Sequence, residues 1–134
     1  MSKSVPIVQK FMTYDPVSVD STTPLTQAQT LMQKKDIRHL PVMEDNEVLG
    51  IISDRDIKYA LSLIQSDPNK VQVKDICHTN LCTAEPSTPI DLVAKEMAEH
   101  HYGCTVVLQN NKLVGIFTTI DACRALAQVL EQKK

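Results

Sequence analysis

Ser53 and Asp56 stand one helical turn apart at the end of an apolar run, and Thr118 and Asp121 repeat the arrangement 65 residues later. A hydroxyl beside a carboxylate is a hydrogen-bonding pair, able to hold a polar ligand or to satisfy free backbone amides. The full motif is Gly50-Ile51-Ile52-Ser53-Asp54-Arg55-Asp56, and the second copy, reached without a gap, is Gly115-Ile116-Phe117-Thr118-Thr119-Ile120-Asp121. The same polar pair, twice, describes a device with two sites. Both pairs also fit helix N-caps, with Ser or Thr at the cap and Asp at the third helical position, where the helix dipole favours negative charge. The two roles are compatible.

Other residue types that carry chemistry are less well placed. Cys77-His78, Cys82 and His100-His101-x-x-Cys104 offer metal-ligand types, but their spacings fit no zinc pattern. Cys82 aligns with Val17 and Cys77 with Met12, so both read as core positions, where a thiol behaves as a small hydrophobe. No positive neighbourhood marks a thiolate. Cys–His catalysis lacks a nucleophile motif and a third, orienting group, so no enzymatic activity and no metal are expected. Gly50 and Gly115 read as relief of backbone crowding, since no Gly-rich phosphate loop surrounds them.

The elements that must position the two pairs come from an internal duplication. Sliding the chain by 65 aligns residues 8–64 with 73–129 and gives eleven identities, among them Val8/Val73, Thr23/Thr88, Pro24/Pro89, Met32/Met97, Asn46/Asn111 and Asp56/Asp121. About three or four would arise by chance. Within each copy, Val17-Ser18-Val19 reads as a short strand. Thr23-Pro24 reads as a helix start, with Thr as cap and Pro where its missing N–H costs nothing. Leu25, Ala28 and Met32, and in the second copy Ile90, Val93, Ala94 and Met97, fall on one helical face. His39–Met43 and Val48–Ile52 are strands joined by Glu44-Asp45-Asn46-Glu47, matched by Gln109-Asn110-Asn111-Lys112. Asp and Asn tolerate positive φ, so both connections predict hairpins. Closing helices are expected from Asp54 to about Leu63 and from Thr119 to about Leu130. Ile7–Met12 and Val71–Cys77 read as short helices leading into each repeat, and Gln65–Lys70 as a polar linker.

The unit is therefore β-α-β-β-α and the class α/β (α+β). The strands are short and nearly continuously apolar, which predicts cover on both faces. Two repeats packed sheet to sheet about a pseudo-twofold axis, with two equivalent clefts, would supply it. Composition agrees: 134 residues, 43% hydrophobic, with only 4% aromatic and no Trp, require a core of Val, Ile, Leu, Met and Ala. A formal charge of −2 argues against nucleic acid as the main partner. No apolar run approaches the ~18 residues of a membrane span. Met1-Ser2-Lys3-Ser4-Val5-Pro6 carries no signal-peptide core, so a cytoplasmic location and free thiols at Cys77, Cys82, Cys104 and Cys123 are expected.

The order of elements, with Gly-apolar-apolar-Ser/Thr-x-x-Asp closing each copy, resembles the cystathionine-β-synthase (CBS) domain, here as a tandem pair or Bateman module. The resemblance runs from about Val8 to Leu130, with domains at 7–64 and 71–130 around the linker 65–70. Asp36-Ile37-Arg38-His39-Leu40-Pro41-Val42 matches well, whereas the second copy departs with Tyr102-Gly103-Cys104-Thr105-Val106-Val107. Such pairs are, by resemblance, regulatory sensors of AMP, ADP, ATP or S-adenosylmethionine. The motif Asp binds the ribose hydroxyls, the Ser or Thr contacts ribose or phosphate, and strand residues hold the adenine. The matched positions are Ser18, Val19, Arg38, His39, Leu40, Pro41, Ser53, Arg55 and Asp56 at one site. At the other they are Thr83, Ala84, Gly103, Cys104, Thr105, Val106, Thr118, Ile120 and Asp121.

These roles are physically reasonable. A carboxylate accepts two bonds from a vicinal diol, at roughly 1.5–3 kcal/mol each for charge-assisted bonds. The start of the closing helix offers N–H groups to phosphate, and Arg38 and Arg55 add guanidinium forks where they are not simply solvated. Ile120 and Gly103 replace those two arginines in the second copy, leaving Arg124 and Lys112 as substitutes. Unequal sites follow: the first suits a phosphorylated ligand, the second a less charged one or none. No cofactor is expected to be required, with an adenine nucleotide or S-adenosylmethionine as effector. The resemblance further implies a homodimer through the outer helix faces and an unknown regulated protein partner. The competing readings are a protein-interaction module with vestigial clefts and a thiol- or metal-responsive protein.

Overall fold

Each hairpin is fixed by its two central turn residues. Asp45 and Asn46 have φ of 51° and 66°, and Asn110 and Asn111 have φ of 53° and 66°. Two successive left-handed residues make the mirror-type turn whose twist matches that of paired strands, and Asp and Asn tolerate it. In this computed structural model, which describes residues 4–65 and 67–132, the turns join β3 (His39–Glu44) to β4 (Glu47–Ser53) and β6 (Cys104–Gln109) to β7 (Lys112–Thr118). Ser66 of the expected linker and the tail Lys133-Lys134 lie outside the described residues. Irregularities at Val42/Met43 and Val107/Leu108 fall at the same repeat position.

The predicted β-α-β-β-α order is present twice. The first run is β2 (Val19–Asp20), α1 (Leu25–Lys35), β3, β4 and α2 (Asp54–Leu63). The second is β5 (Thr83–Ala84), α3 (Ile90–His100), β6, β7 and α4 (Thr119–Glu131). A further strand, β1 (Thr13–Tyr14), precedes them. The sheets run β2-β3-β4 and β1-β7-β6-β5, with β2 and β5 parallel to their neighbours and the rest antiparallel. β2 begins at Val19, so Val17 and Ser18 precede it.

The segments leading into each repeat differ from expectation. Each is a single 3-10 turn, Val8–Lys10 and Val73–Asp75. They also exchange places. One unit is Val17–Leu81; the other joins the segment ending at Pro16 to the one beginning at Cys82. The lead-in of one repeat therefore completes the other. Val73 N–H donates to the Thr23 carbonyl at 2.8 Å, and Val8 N–H donates to that of Thr88 at 2.8 Å, the same bond shifted by 65. Lys74 to Ser21 and Gln9 to Pro86, both 3.1 Å, form a second such pair. The connection from β1 to β2 is four residues, 15–18, and turns at Asp15, whose φ is 48°.

The same contacts correct the expected helix caps. Pro24 and Pro89 occupy the cap positions and no side chain caps either helix. Instead Leu25 N–H donates to the Val71 carbonyl and Ile90 N–H to that of Pro6, each at 2.9 Å. An irregular segment at the start of each lead-in thus satisfies amides that a lone helix leaves to solvent or to a capping side chain.

Each unit has its own core. In Val17–Leu81 it comprises Val19, Leu25, Ala28, Met32, Leu40, Val42, Ile52, Ile57 and the lead-in residue Val73. In the other it comprises Val93, Met97, Val107, Phe117 and Cys82 with Val8 and Met12 of the lead-in. Leu25, Ala28 and Met32 are buried as their spacing predicts, as are Val93 and Met97. Ile90 is half-buried, and Ala94 is exposed because the α3 stripe is narrower than the pattern suggests. Cys82 is buried as expected. Cys77 is half-buried against the first core, and Val17 keeps 36% of its surface exposed.

Both motif glycines mark where a lead-in backbone presses on a strand. A Cβ at Gly50 would lie 2.5 Å from the His78 carbonyl oxygen and 2.8 Å from Cys77 Sγ; one at Gly115 would lie 2.6 Å from Met12 Sδ and 2.9 Å from the Thr13 carbonyl. Neither glycine needs positive φ; both are required by close approach. We expect Gly50→Ala and Gly115→Ala to destabilise the fold by about 1–3 kcal/mol. Gly50→Ala should cost more, since its worst clash is with backbone rather than a flexible thioether. Urea-midpoint measurements test this, and unchanged midpoints would contradict the docking.

Candidate functional site

Ser53 ends β4 in an extended conformation and Asp54 opens α2, so the motif spans a strand-to-helix corner. The Ser53 amide donates to Asp56 Oδ2 at 2.9 Å, and the Asp56 amide donates to Ser53 Oγ at 3.1 Å. This is a reciprocal capping box. It uses one carboxylate oxygen and leaves Oδ1 aimed elsewhere. His78 Nε2 lies 3.0 Å from Oδ1. Asp56 keeps 23% of its side-chain surface exposed and His78 keeps 68%.

Electrostatics favour an ionised carboxylate here. Burial pushes Asp56 upward, but hydrogen bonds from His78 and Ser53 outweigh it and hold the group below its usual range. His39, paired with Ser53 across β3 and β4, is driven below the ordinary imidazole value by burial, which exceeds the pull of the nearby Asp56 charge. His39 is therefore neutral at pH 7.

The second corner repeats the plan with different neighbours. The Thr118 amide donates to Asp121 Oδ2 at 3.0 Å, and the Asp121 amide donates to Thr118 Oγ1 at 3.3 Å. Thr118 Oγ1 also approaches Asp121 Oδ2 at 3.2 Å. Thr13 Oγ1 donates to both carboxylate oxygens, at 3.4 and 3.3 Å. Arg124 Nη1 is 3.6 Å from Oδ1, and only 6% of the Asp121 side chain is exposed. Arg124 thus stands beside the motif carboxylate. Lys112 opens β7 at the opposite end of the hairpin and does not. Burial, then the Asp121 charge, push the Cys104 thiol up to about 12. Burial likewise raises Cys77 and Cys82, so these three are thiols at neutral pH.

The other predicted positions fall into distinct groups. Arg38, His39, Ser53 and Asp56 come together, since the Asp54 amide donates to the Arg38 carbonyl at 2.9 Å and His39 pairs with Ser53. Gly103, Cys104, Thr118 and Asp121 do the same, through Thr119 N–H to the Gly103 carbonyl at 3.2 Å and the pairing of Cys104 with Thr118. These bonds revise the expected phosphate seat. Of the first three amides of α2, Asp54 and Asp56 are already committed and Arg55 alone is left by them. Arg38 is exposed beside Asp36 at 3.3 Å, Arg55 is exposed, and Ile120 presents an exposed apolar side chain. Leu40 and Val106 are fully buried, Pro41 is buried, and Thr105 is fully buried beside Cys82 at 3.2 Å. Such positions can meet a ligand through backbone only.

Ser18 and Val19 lie on the far side of β3 from the motif, and Thr83 and Ala84 on the far side of β6. Thr83 and Ala84, with Glu85, Thr88, Leu108, Asn110 and Asn111, line an open groove of about 650 Å³ near the hairpin turn. That groove lies at the opposite end of β6 from Asp121, so it does not enclose the motif. Thr13 was not singled out in the sequence, and His78 was noted there only as a metal-ligand type, not as a neighbour of the motif. Their signal was available, since they align at the offset of 65 as polar residues ending two largely apolar lead-ins. Among the described residues, no three His, Cys, Asp or Glu side chains gather to hold a metal, and no helix is long and apolar enough to cross a membrane.

The geometry can be set beside known proteins. The family model for the CBS domain matches residues 8–63 and 73–128. A putative acetoin utilization protein (AcuB) from Vibrio cholerae is 30% identical with a TM-score of 0.86, over 97% of this chain and 96% of that one. The CBS domain pair of protein MJ0100, in complex with 5′-methylthioadenosine and S-adenosyl-L-methionine, is 27% identical with a TM-score of 0.84, over 93% and 98%. CBSX2 in complex with AMP is 27% identical with a TM-score of 0.77, over 92% and 97%. The first curated relatives are much longer: L-aspartate semialdehyde sulfurtransferase from Methanocaldococcus jannaschii is 29% identical over 92% of this chain but only 24% of its own length. The other first relatives are matched over 12% and 22% of theirs. With both repeats matched in sequence and in fold, the chain belongs to the CBS domain family and carries two CBS domains in tandem.

Proposed function

We propose that the chain is a regulatory sensor of adenosyl ligands, binding a nucleotide such as AMP or a sulfonium nucleoside such as S-adenosylmethionine, and that Asp56 anchors the principal site. The observation that carries this reading is the state of Asp56. It is a carboxylate held ionised, partly open, with one oxygen facing, among the described residues, only a solvent-exposed imidazole. A ribose diol is a suitable partner for such a group. Similar structures that hold 5′-methylthioadenosine, S-adenosyl-L-methionine or AMP support the same ligand class.

The sites are unequal. Asp121 is buried, shared among Thr118, Thr13 and Arg124, and beside it stand neutral Cys104 and apolar Ile120. Its seat suits a less charged ligand or none. The module acts without chemistry of its own, by a difference in affinity between two states of the chain or of an assembly. A homodimer is the proposed assembly. Tyr59 and Leu63 on α2, and Leu126 and Leu130 on α4, are large apolar side chains left exposed. The committed carboxylate of Asp121 favours a second reading, an interaction module whose clefts no longer bind.

Calorimetric titration separates the two. Asp56→Asn keeps one acceptor for the Ser53 amide but loses charge, and should weaken AMP or S-adenosylmethionine binding about 10- to 100-fold; Asp121→Asn should change it less than about threefold. The reverse ranking would refute the asymmetry, and no saturable binding of either ligand would favour the interaction module. For the dimer, Leu63→Asp with Leu126→Asp should give monomer in sedimentation while leaving the circular dichroism unchanged.

His39 makes a prediction about acid. Its folded value lies below the unfolded one, so its contribution to stability is complete above the unfolded value of about 6.5 and is lost as pH falls towards the folded one. Asp56 contributes nothing to a change between pH 7 and 5, since its range lies lower. The urea midpoint should fall from pH 7 to 5, and His39→Asn should flatten that fall. An equal fall in the variant would assign the effect to other groups.

A further inference from the structure

We propose that His78 determines access to Asp56: in the free protein its imidazole sits in the place of the ligand's ribose, and binding must displace it. The inference rests on the adenosyl reading above and adds a residue and a consequence to it. His78 Nε2 is 3.0 Å from Asp56 Oδ1, the oxygen that the capping box leaves for a ligand. The imidazole arrives on the exchanged lead-in, not on the repeat that carries the motif. Its backbone is held on β4 by two bonds, His78 N–H to the Ile51 carbonyl and Ile51 N–H to the His78 carbonyl, each 2.9 Å. The side chain is 68% exposed, so rotation about its own bonds moves it into water without breaking that pairing.

Thr13, at the equivalent position, differs in this respect. Its hydroxyl is carried on a short β-branched side chain within β1, paired with Ile116 of β7. Clearing Asp121 means turning a methyl group into the space or shifting the strand, and Arg124 still lies 3.6 Å away. One position in each unit therefore sets whether the motif carboxylate opens by a side-chain rotation or by a backbone movement. Ligand at Asp56 also removes one tether of the lead-in, so occupancy is transmitted to residues 77–79.

Two measurements test this. AMP and 2′,3′-dideoxy-AMP are titrated into wild type, His78→Ala and His78→Gln. Freed of its competitor, His78→Ala should bind AMP about three- to tenfold more tightly, with no gain for the dideoxy nucleotide. His78→Gln, which retains a donor, should stay near wild type. Weaker AMP binding by His78→Ala would make the imidazole a ligand contact, and an equal gain for both nucleotides would make it a general obstruction; either overturns the proposal. In parallel, amide hydrogen exchange is followed without ligand. His78→Ala should speed exchange at residues 77–79 several-fold over wild type while the remaining β4 amides hold. Unchanged exchange there overturns the tether whatever AMP does. If no protein binds AMP but exchange responds as expected, the adenosyl reading fails and the His78–Asp56 contact stands.

Discussion

The structure depends on one close approach of main chain to main chain. The lead-in of each repeat lies against the motif strand of the other, at a position where a side chain cannot fit. Gly50 meets the His78 carbonyl and Gly115 meets that of Thr13. From that contact follow the completion of each core by Val73 or Val8, and the capping of α1 and α3 by the carbonyls of Val71 and Pro6. The delivery of His78 and Thr13 to the two motif aspartates follows as well. Backbone contacts of this kind are indifferent to side-chain identity beyond the glycine, which is why two repeats with modest identity keep the same bonds at the same offset.

On this shared scaffold the chemistry has diverged. Both corners keep a reciprocal capping box, because the free amides at a helix start must be satisfied whatever else the site does. The second carboxylate oxygen is what varies. At Asp56 it faces one exposed imidazole, and the nearest titratable strand residue, His39, is neutral at pH 7. At Asp121 it is shared between Thr13 and Arg124, in a buried setting where the thiol of Cys104 stays protonated. Structural and binding roles of the motif Asp therefore coexist, but with different remainders: one carboxylate has capacity to spare and the other has little.

Much of the fold was legible in the chain. The helix bounds of α2 and α4, the two hairpins and the repeat offset could be read because they follow from local rules: apolar spacing, positive-φ turn residues and a cap followed by a helix. The grouping of Arg38, His39, Ser53 and Asp56 was implied by the family resemblance, and antiparallel pairing brings it about by setting the start of one hairpin strand beside the end of the other. What local rules could not reveal were contacts that join distant segments. Thr23 looked like a helix cap, but the lead-in carbonyl of Val71 does that work. Ala94 matched the apolar stripe of α3, but it is exposed. Ser18 and Thr83 sit across a strand from the motif, a separation that spacing along the chain does not express.

By itself the sequence determined the duplication, the order of elements and the twin hydroxyl–carboxylate corners, because each is encoded by neighbours within a few residues of one another. Only the tertiary structure decided which lead-in serves which repeat, and so which side chain answers each aspartate. That choice rests on backbone bonds between segments far apart in the chain, such as Val73 to Thr23 and Val8 to Thr88. It is a property of the assembled strands, written in no single residue.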